Sequence, residues 1–185
     1  MRNAIFNSAV LLSVLAVSLA GCSKDRSISD YINDLKSPKT QARQEAAKAL
    51  GEHGSNAAKA APELIEALKD KKAKVRLAAA RSLGKIGSAG KEGIPALTNA
   101  LKDPDPRVRY SAAVALGRFR GDSKDAVPNL TSLLTDKDPK IRQAAARTLG
   151  NIGHDANEAT TALKNALNDK DRQVREAAAS ALKRI

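Results

Sequence analysis

Aromatic side chains are nearly missing from this 185-residue sequence, which has no tryptophan, two tyrosines and two phenylalanines. Past the first 21 residues only Tyr31, Tyr110 and Phe119 remain. The core must then come from Leu, Val, Ile and Ala. Abundant alanine favours tightly packed helices, because alanine has the best helix propensity and no side-chain entropy to lose. The same scarcity argues against single-stranded nucleic acid as a partner, since proteins that hold it stack bases on aromatic rings. Cysteine occurs once, at Cys22, which leaves the rest of the chain without disulfides, thiolate ligands or a thiol nucleophile. His53 and His154 stand apart from each other at no metal-ligand spacing and read as surface residues. Nothing assembles a nucleophile, a base and an oxyanion hole, so the sequence does not read as an enzyme and implies no metal or cofactor.

Long apolar runs are lacking as well, except at the start. Arg2 is followed by a mostly apolar stretch from Ala4 to Ala20 with Asn7, Ser8, Ser13 and Ser18 inside it. A basic start, a short apolar run and a small-residue exit describe an export signal. Leu19-Ala20-Gly21-Cys22 resembles the lipobox of bacterial lipoproteins. That resemblance implies a signal peptide over residues 1–21, acylation of Cys22 as the first mature residue with chains such as palmitate, and a lipidated tether over 22–30. It places the chain in the bacterial cell envelope, anchored in a membrane, and Ser23 is compatible with an outer membrane, facing the periplasm. Two or more acyl chains hold a protein on a bilayer stably. Ser23 to Asp30 gives the tether a reach of at most about 28 Å.

What is plentiful is repetition and positive charge. Thirty-two Lys and Arg face 20 Asp and Glu, a formal net charge of +12, and removing the leader subtracts only Arg2. At an offset of 33 residues, Leu50, Leu83, Leu116, Leu149 and Leu182 align, as do Arg43, Arg76, Arg109, Arg142 and Arg175. Alanine pairs keep the same step from Ala46-Ala47 to Ala178-Ala179. Gly51, Gly84, Gly117 and Gly150 follow the leucines, with Lys183 in the fifth copy. A fixed period of this size marks a repeat array.

Each unit reads as two helices. In the second copy, Pro62 opens a short helix with Leu64, Ile65 and Leu68 on one face, and Asp70 to Lys72 turn the chain. A longer helix from about Ala73 to Ile86 carries Val75, Ala79, Leu83 and Ile86 at the spacing of a buried stripe. Pro95 and Pro128 repeat the opening signal, and Thr161 replaces it in the last copy. One hairpin buries too little apolar surface to offset the ordering of its backbone, so neighbours must supply the missing contacts. Segments such as Leu101-Lys102-Asp103-Pro104-Asp105-Pro106-Arg107-Val108-Arg109 and Ala113-Val114-Ala115-Leu116-Gly117 resemble the HEAT-like repeats, including the short variant of phycobilisome lyases. The resemblance covers residues 31–185 and implies an all-α fold, a right-handed α-solenoid of about five helical hairpins. It also admits a lyase activity of that kind, for which no catalytic position can be carried over.

Asp70 and Arg76, Asp103 and Arg109, Asp136 and Arg142, and Asp169 and Arg175 recur six residues apart. They could suggest metal or phosphate sites, but the resemblance implies a structural ladder of hydrogen bonds and ion pairs through the stack. Asp105 and Asp138 precede helix-opening prolines and read as N-caps; neither belongs to a calcium loop, which would need a glycine and a terminal glutamate. Residues Gly84 to Glu92 lack the spacing of a phosphate-binding loop and read as a plain inter-repeat loop.

Two columns vary freely between copies: Gln44, Leu77, Tyr110, Gln143, Glu176 and, four residues on, Lys48, Arg81, Val114, Arg147, Ser180. Residues four apart share a helix face, and the resemblance puts the second helices on the concave side. Leu77, Tyr110, Val114 and Gln143 with Arg81, Arg147, Lys85 and Arg118 therefore form the candidate surface for a protein or peptide partner, in the manner of an apolar anchor rimmed by arginine. The competing expectation is electrostatic docking of the basic chain on anionic envelope polymers or lipid head groups. The export signal and the missing aromatics both count against nucleic acid.

Overall fold

The computed structural model describes residues 26–185. The expected signal peptide, lipobox and Cys22 lie outside the described residues, which contain ten α-helices and no strand. Short first helices of seven residues alternate with longer second helices. The first helices are α1 (Ile28–Asp34), α3 (Ala61–Ala67), α5 (Ile94–Ala100), α7 (Val127–Leu133) and α9 (Thr160–Ala166). The second are α2 (Thr40–Glu52), α4 (Ala73–Lys85), α6 (Pro106–Phe119), α8 (Pro139–Ile152) and α10 (Arg172–Leu182). The molecule is an all-α solenoid of five hairpins.

Local chemistry sets the helix starts. Pro62, Pro95 and Pro128 sit in the first turns of α3, α5 and α7, where a missing N–H costs nothing. Asp105, Asp138 and Asp171 cap α6, α8 and α10, accepting from the N–H of Arg107 (2.9 Å), Lys140 (2.9 Å) and Gln173 (2.8 Å). The two D-x-D segments are thus capping devices. At the first hairpin, Ser27 and Asp30 form a reciprocal capping box that starts α1 at Ile28. Helix α1 therefore begins three residues before the expected domain boundary at residue 31.

The expected loops between hairpins are instead coiled. Gly54–Ala60, Gly87–Gly93, Arg120–Ala126 and Gly153–Ala159 each form a stretch of 3-10 helix. Gly54, Gly87 and Gly153 enter with φ of 54°, 74° and 80°, a reversal that glycine makes without a Cβ clash. Small buried residues such as Ala57, Ala126 and Ala156 then let the coil lie against the second helices. The run from Gly84 to Glu92 accordingly spans a helix end and a packed coil.

The core is one continuous seam. Leu50, Leu83, Leu116 and Leu149 are fully buried, whereas Leu182 in the last described hairpin is partly exposed. Second helices pack directly on one another, while first helices meet mainly their own second helix and the adjoining coil. The glycine column explains how closely. A Cβ on Gly84 would stand 3.0 Å from the Ala115 Cα, and one on Gly150 would stand 2.8 Å from the Ala181 Cα. Gly117 lies likewise against Thr148, and Gly51 against Ser82. The hydroxyls at these contacts donate backwards, Ser82 Oγ to the Ala47 carbonyl (2.6 Å) and Thr148 Oγ1 to the Ala113 carbonyl (2.8 Å). An array bends toward its more closely spaced layer, so the second helices line the inner side.

The Asp and Arg columns join hairpins rather than closing within them. Arg43, Arg76, Arg109 and Arg142 each grip the carboxylate of the next hairpin, Asp70, Asp103, Asp136 and Asp169, with Nε to Oδ2 distances of 2.6, 2.6, 2.8 and 2.7 Å. A second bond from Nη2 makes each pair bidentate. The six-residue spacing is satisfied by main chain: Arg76, Arg109, Arg142 and Arg175 donate Nη1 to the carbonyls of Asp70, Asp103, Asp136 and Asp169. Each of these carboxylates also accepts the N–H two residues on. At Asp169 the Arg142 guanidinium holds the carboxyl below its ordinary range. At Asp70 and Asp136 burial opposes the charge, but the Arg43 and Arg109 guanidinium groups and the turn N–H bonds outweigh it, and the shift is again downward. Asp105 is drawn down to about 2, first by its bond from the Arg107 side chain.

Three outcomes are expected. Gly150→Ala should destabilise the protein in urea unfolding, although alanine is favoured over glycine by about 1 kcal/mol in an open helix; a gain in stability would mean that the helices do not meet so closely. Asp136→Ala should cost about 3 kcal/mol, because it strands the Arg109 guanidinium in the seam, whereas Asp138→Ala should cost about 1 kcal/mol as a lost cap. Carboxyls depressed on folding add stability that is fully present above the unfolded pKa, about 3.9, and is lost as pH falls through the folded value. Thermal melts should therefore be flat above about pH 5 and drop between about pH 4 and pH 2.

Candidate functional site

The candidate surface is assembled by α4, α6 and α8, whose inner faces are brought side by side by the glycine contacts. Tyr110 and Val114 stand on α6 one turn apart, 39% and 37% exposed. For large apolar residues on an otherwise charged layer that exposure is high, and Leu167 on the first-helix layer is the other described example. Leu77 of α4 is half-buried and leans on the core. Gln143 on α8 is half-buried and Arg147 exposed.

Leu77, Arg81 and Lys85 share one shallow hollow between α2 and α4, about 100 Å³, with Gln44 and Lys48 on its far wall. Arg81 reaches across to α6, where its Nε donates to the Ser111 Oγ at 3.4 Å. Arg118 is not in this hollow. Its side chain lies over Gly84 and lines a separate cleft of about 550 Å³ with Phe119, Arg120 and Ser88 at the ends of α4 and α6. The eight predicted residues thus occupy one face of three adjacent helices but divide between a central apolar patch, a hollow and an edge cleft.

Two further features belong to this face. Lys74, Arg107 and Lys140 form a further exposed column at the start of α4, α6 and α8. The same column carries Gln41 and Gln173 in the outer copies, so the 33-residue offset alone confines its basic residues to the three middle hairpins. Arg120 stands at the turn that glycine fills in the three other inter-repeat coils, and it holds φ at 53°. For a residue with a Cβ that backbone costs about 1 to 3 kcal/mol. The break in the glycine column was the signal.

The histidines stay away from this face. His53 stacks near Tyr31, ring centroids 5.9 Å apart, and His154 bonds the Asn157 amide at 3.1 Å. Among the described residues no group of three or more His, Asp and Glu is placed to hold a metal. None of the described helices is long and apolar enough to cross a membrane.

Comparison with known proteins agrees with this geometry. No match is found among curated protein sequences. Among solved structures, the complex of CpcE and CpcF of phycocyanin lyase from Nostoc sp. PCC7120 is 30% identical with a TM-score of 0.75, covering 86% of this chain and 65% of that one. An engineered protein is 26% identical, with a TM-score of 0.71 and coverage of 84% and 78%. A designed armadillo repeat protein, solved with the peptide (KR)4, shares the fold at 17% identity, with a TM-score of 0.73 and coverage of 84% and 80%. Residues 28–98 and 94–183 match the family of HEAT repeats, and with that match and the five stacked hairpins, the chain belongs to the HEAT-repeat family.

Proposed function

We propose that the chain is a non-catalytic HEAT-repeat scaffold that binds a protein or peptide partner on its inner face and is held to a membrane of the bacterial envelope by acyl chains on Cys22. The observation that carries the binding half is the exposed pair Tyr110 and Val114 on the middle second helix, with exposed Arg81 on α4 and Arg147 on α8 to either side. Exposed aromatic and aliphatic residues within a cationic rim have the composition of an interface anchor. The anchoring half rests on Arg2, the apolar run and Leu19-Ala20-Gly21-Cys22. With α1 starting at Ile28, only Ser23 to Ser27 separate the lipid from the first helix, a reach of at most about 17 Å. The solenoid then works close to its membrane, which we place as the outer membrane, facing the periplasm. A second reading, electrostatic docking on anionic polymers or head groups, is favoured by the net charge of +12. It requires no contribution from Tyr110.

Two measurements check the proposal. Cys22→Ala should abolish labelling by radioactive palmitate and shift the protein from the membrane pellet to the soluble fraction; unchanged labelling would remove the anchor. In crosslinking of intact cells followed by mass spectrometry, Tyr110→Ala combined with Arg81→Ala should lose most of the partners that the wild type recovers. Equal recovery, with binding that fades steeply as salt is raised, would instead favour electrostatic docking.

A further inference from the structure

Between their first and last residues, α4, α6 and α8 contain no Asp or Glu at all. They present Lys74, Arg81 and Lys85, Arg107 and Arg118, and Lys140 and Arg147 to solvent. Their remaining arginines, Arg76, Arg109 and Arg142, are neutralised in the inter-hairpin pairs. Of the seven exposed cations only Arg107 forms a salt bridge among the described residues, with Asp105 just before its own helix. Acids return on the inner layer only at the flanks, as Glu45 and Glu52 on α2 and Glu176 on α10. Elsewhere they populate the first helices, the coils and the turns.

A surface selected for solubility alone interleaves both signs, whereas a field of one sign repels itself and attracts its complement. The excess here is confined to three adjacent helices, the middle one of which carries Tyr110 and Val114. Arg120, held in strained backbone beside Arg118, adds a further cation at its edge.

We infer that the inner face accepts a short, extended, acidic polypeptide segment, with an apolar side chain seated on Tyr110 and Val114 and Asp or Glu residues on either side meeting Arg81, Lys85, Arg118 and Arg147. This rests on the partner-binding reading above and supplies the chemistry of the partner. Helices packed about 10 Å apart make the three-helix face about 20 Å across, which an extended chain spans with about six residues. The small size of the site selects a polypeptide over a bilayer. Tyr110 and Val114 make an apolar patch confined to one helix, with cations on the helices to either side, which matches one apolar side chain between acidic ones. The apolar pair also favours a polypeptide over a free polyanion, which would make no use of it.

The test is fluorescence anisotropy on the full chain in detergent micelles, with labelled peptides of about eight residues: a leucine pair flanked by glutamates, the same peptide with glutamines, and the same with lysines. The glutamate peptide should bind at least about tenfold more tightly than the glutamine peptide, and the lysine peptide should not bind. Tyr110→Ala, and separately Arg81→Gln with Arg147→Gln, should each weaken the glutamate peptide about tenfold while leaving the circular dichroism melt unchanged. These side chains are exposed, and Arg118→Gln serves as a further variant should the melt of one of them shift. Equal affinity for the glutamate and glutamine peptides, both lost in Tyr110→Ala, would overturn the acidic chemistry and leave the scaffold reading standing. Glutamate binding that ignores Tyr110→Ala and is displaced by soluble short-chain phosphatidylglycerol would overturn the polypeptide in favour of lipid head groups. Binding to none of the peptides would overturn the inference outright.

Discussion

A guanidinium that holds the carboxylate of the following hairpin while bonding a carbonyl of its own turn fixes the spacing on which everything else here depends. Four such grips, from Arg43–Asp70 to Arg142–Asp169, tie neighbouring turns at one edge of the stack. The glycine contacts set the approach at the other end of the second helices. Between these two constraints the leucine and alanine seam has little freedom in how it packs, and the helices must lie in one register. Ion pairs of this kind add little net stability compared with apolar packing, but breaking one leaves a buried charge, so they act strongly against alternative registers.

That arrangement also decides where chemistry can vary. Positions that face the seam or the grips are committed to packing in every hairpin, and what remains on each second helix is a narrow inner face. Its residues are placed by a scaffold they do not themselves maintain. An exposed Tyr110 or a cluster of unpaired cations can be carried there without disturbing the core, which separates the stability of the fold from the identity of whatever it binds.

Much of the fold was legible because a repeat reports its own constraints several times over. The 33-residue step, the helix-opening prolines and the capping aspartates are local or periodic signals, and the helices begin where those residues stand. The partner of each ladder arginine was less accessible. Arg76 lies six residues from Asp70 in sequence, yet its fork meets the carboxylate of Asp103, because the direction of stacking is a three-dimensional fact with no local signature. The inter-hairpin coils have the composition of loops, since glycine and small residues serve equally for an open turn and for a coil that lies flush against a helix. Ser27 and Asp30 carry the start of α1 as a capping box, a local signal that lies before the expected boundary at residue 31. At the inner face the varying columns pointed to Tyr110 and Val114, but exposure and the absence of acids across three adjacent helices become visible only when the helices are set side by side.

Lys183 occupies the place where Gly51, Gly84, Gly117 and Gly150 let a following helix settle. Any helix approaching α10 in the same register would have to stand off from that side chain or strip water from its ammonium. Stacked repeats are prone to head-to-tail growth, since a heterologous contact that does not close on itself propagates into a fibre. A lysine at this position therefore makes that side of α10 a poorer seat for another helix than the glycine surfaces of α2, α4, α6 and α8, and so disfavours such growth.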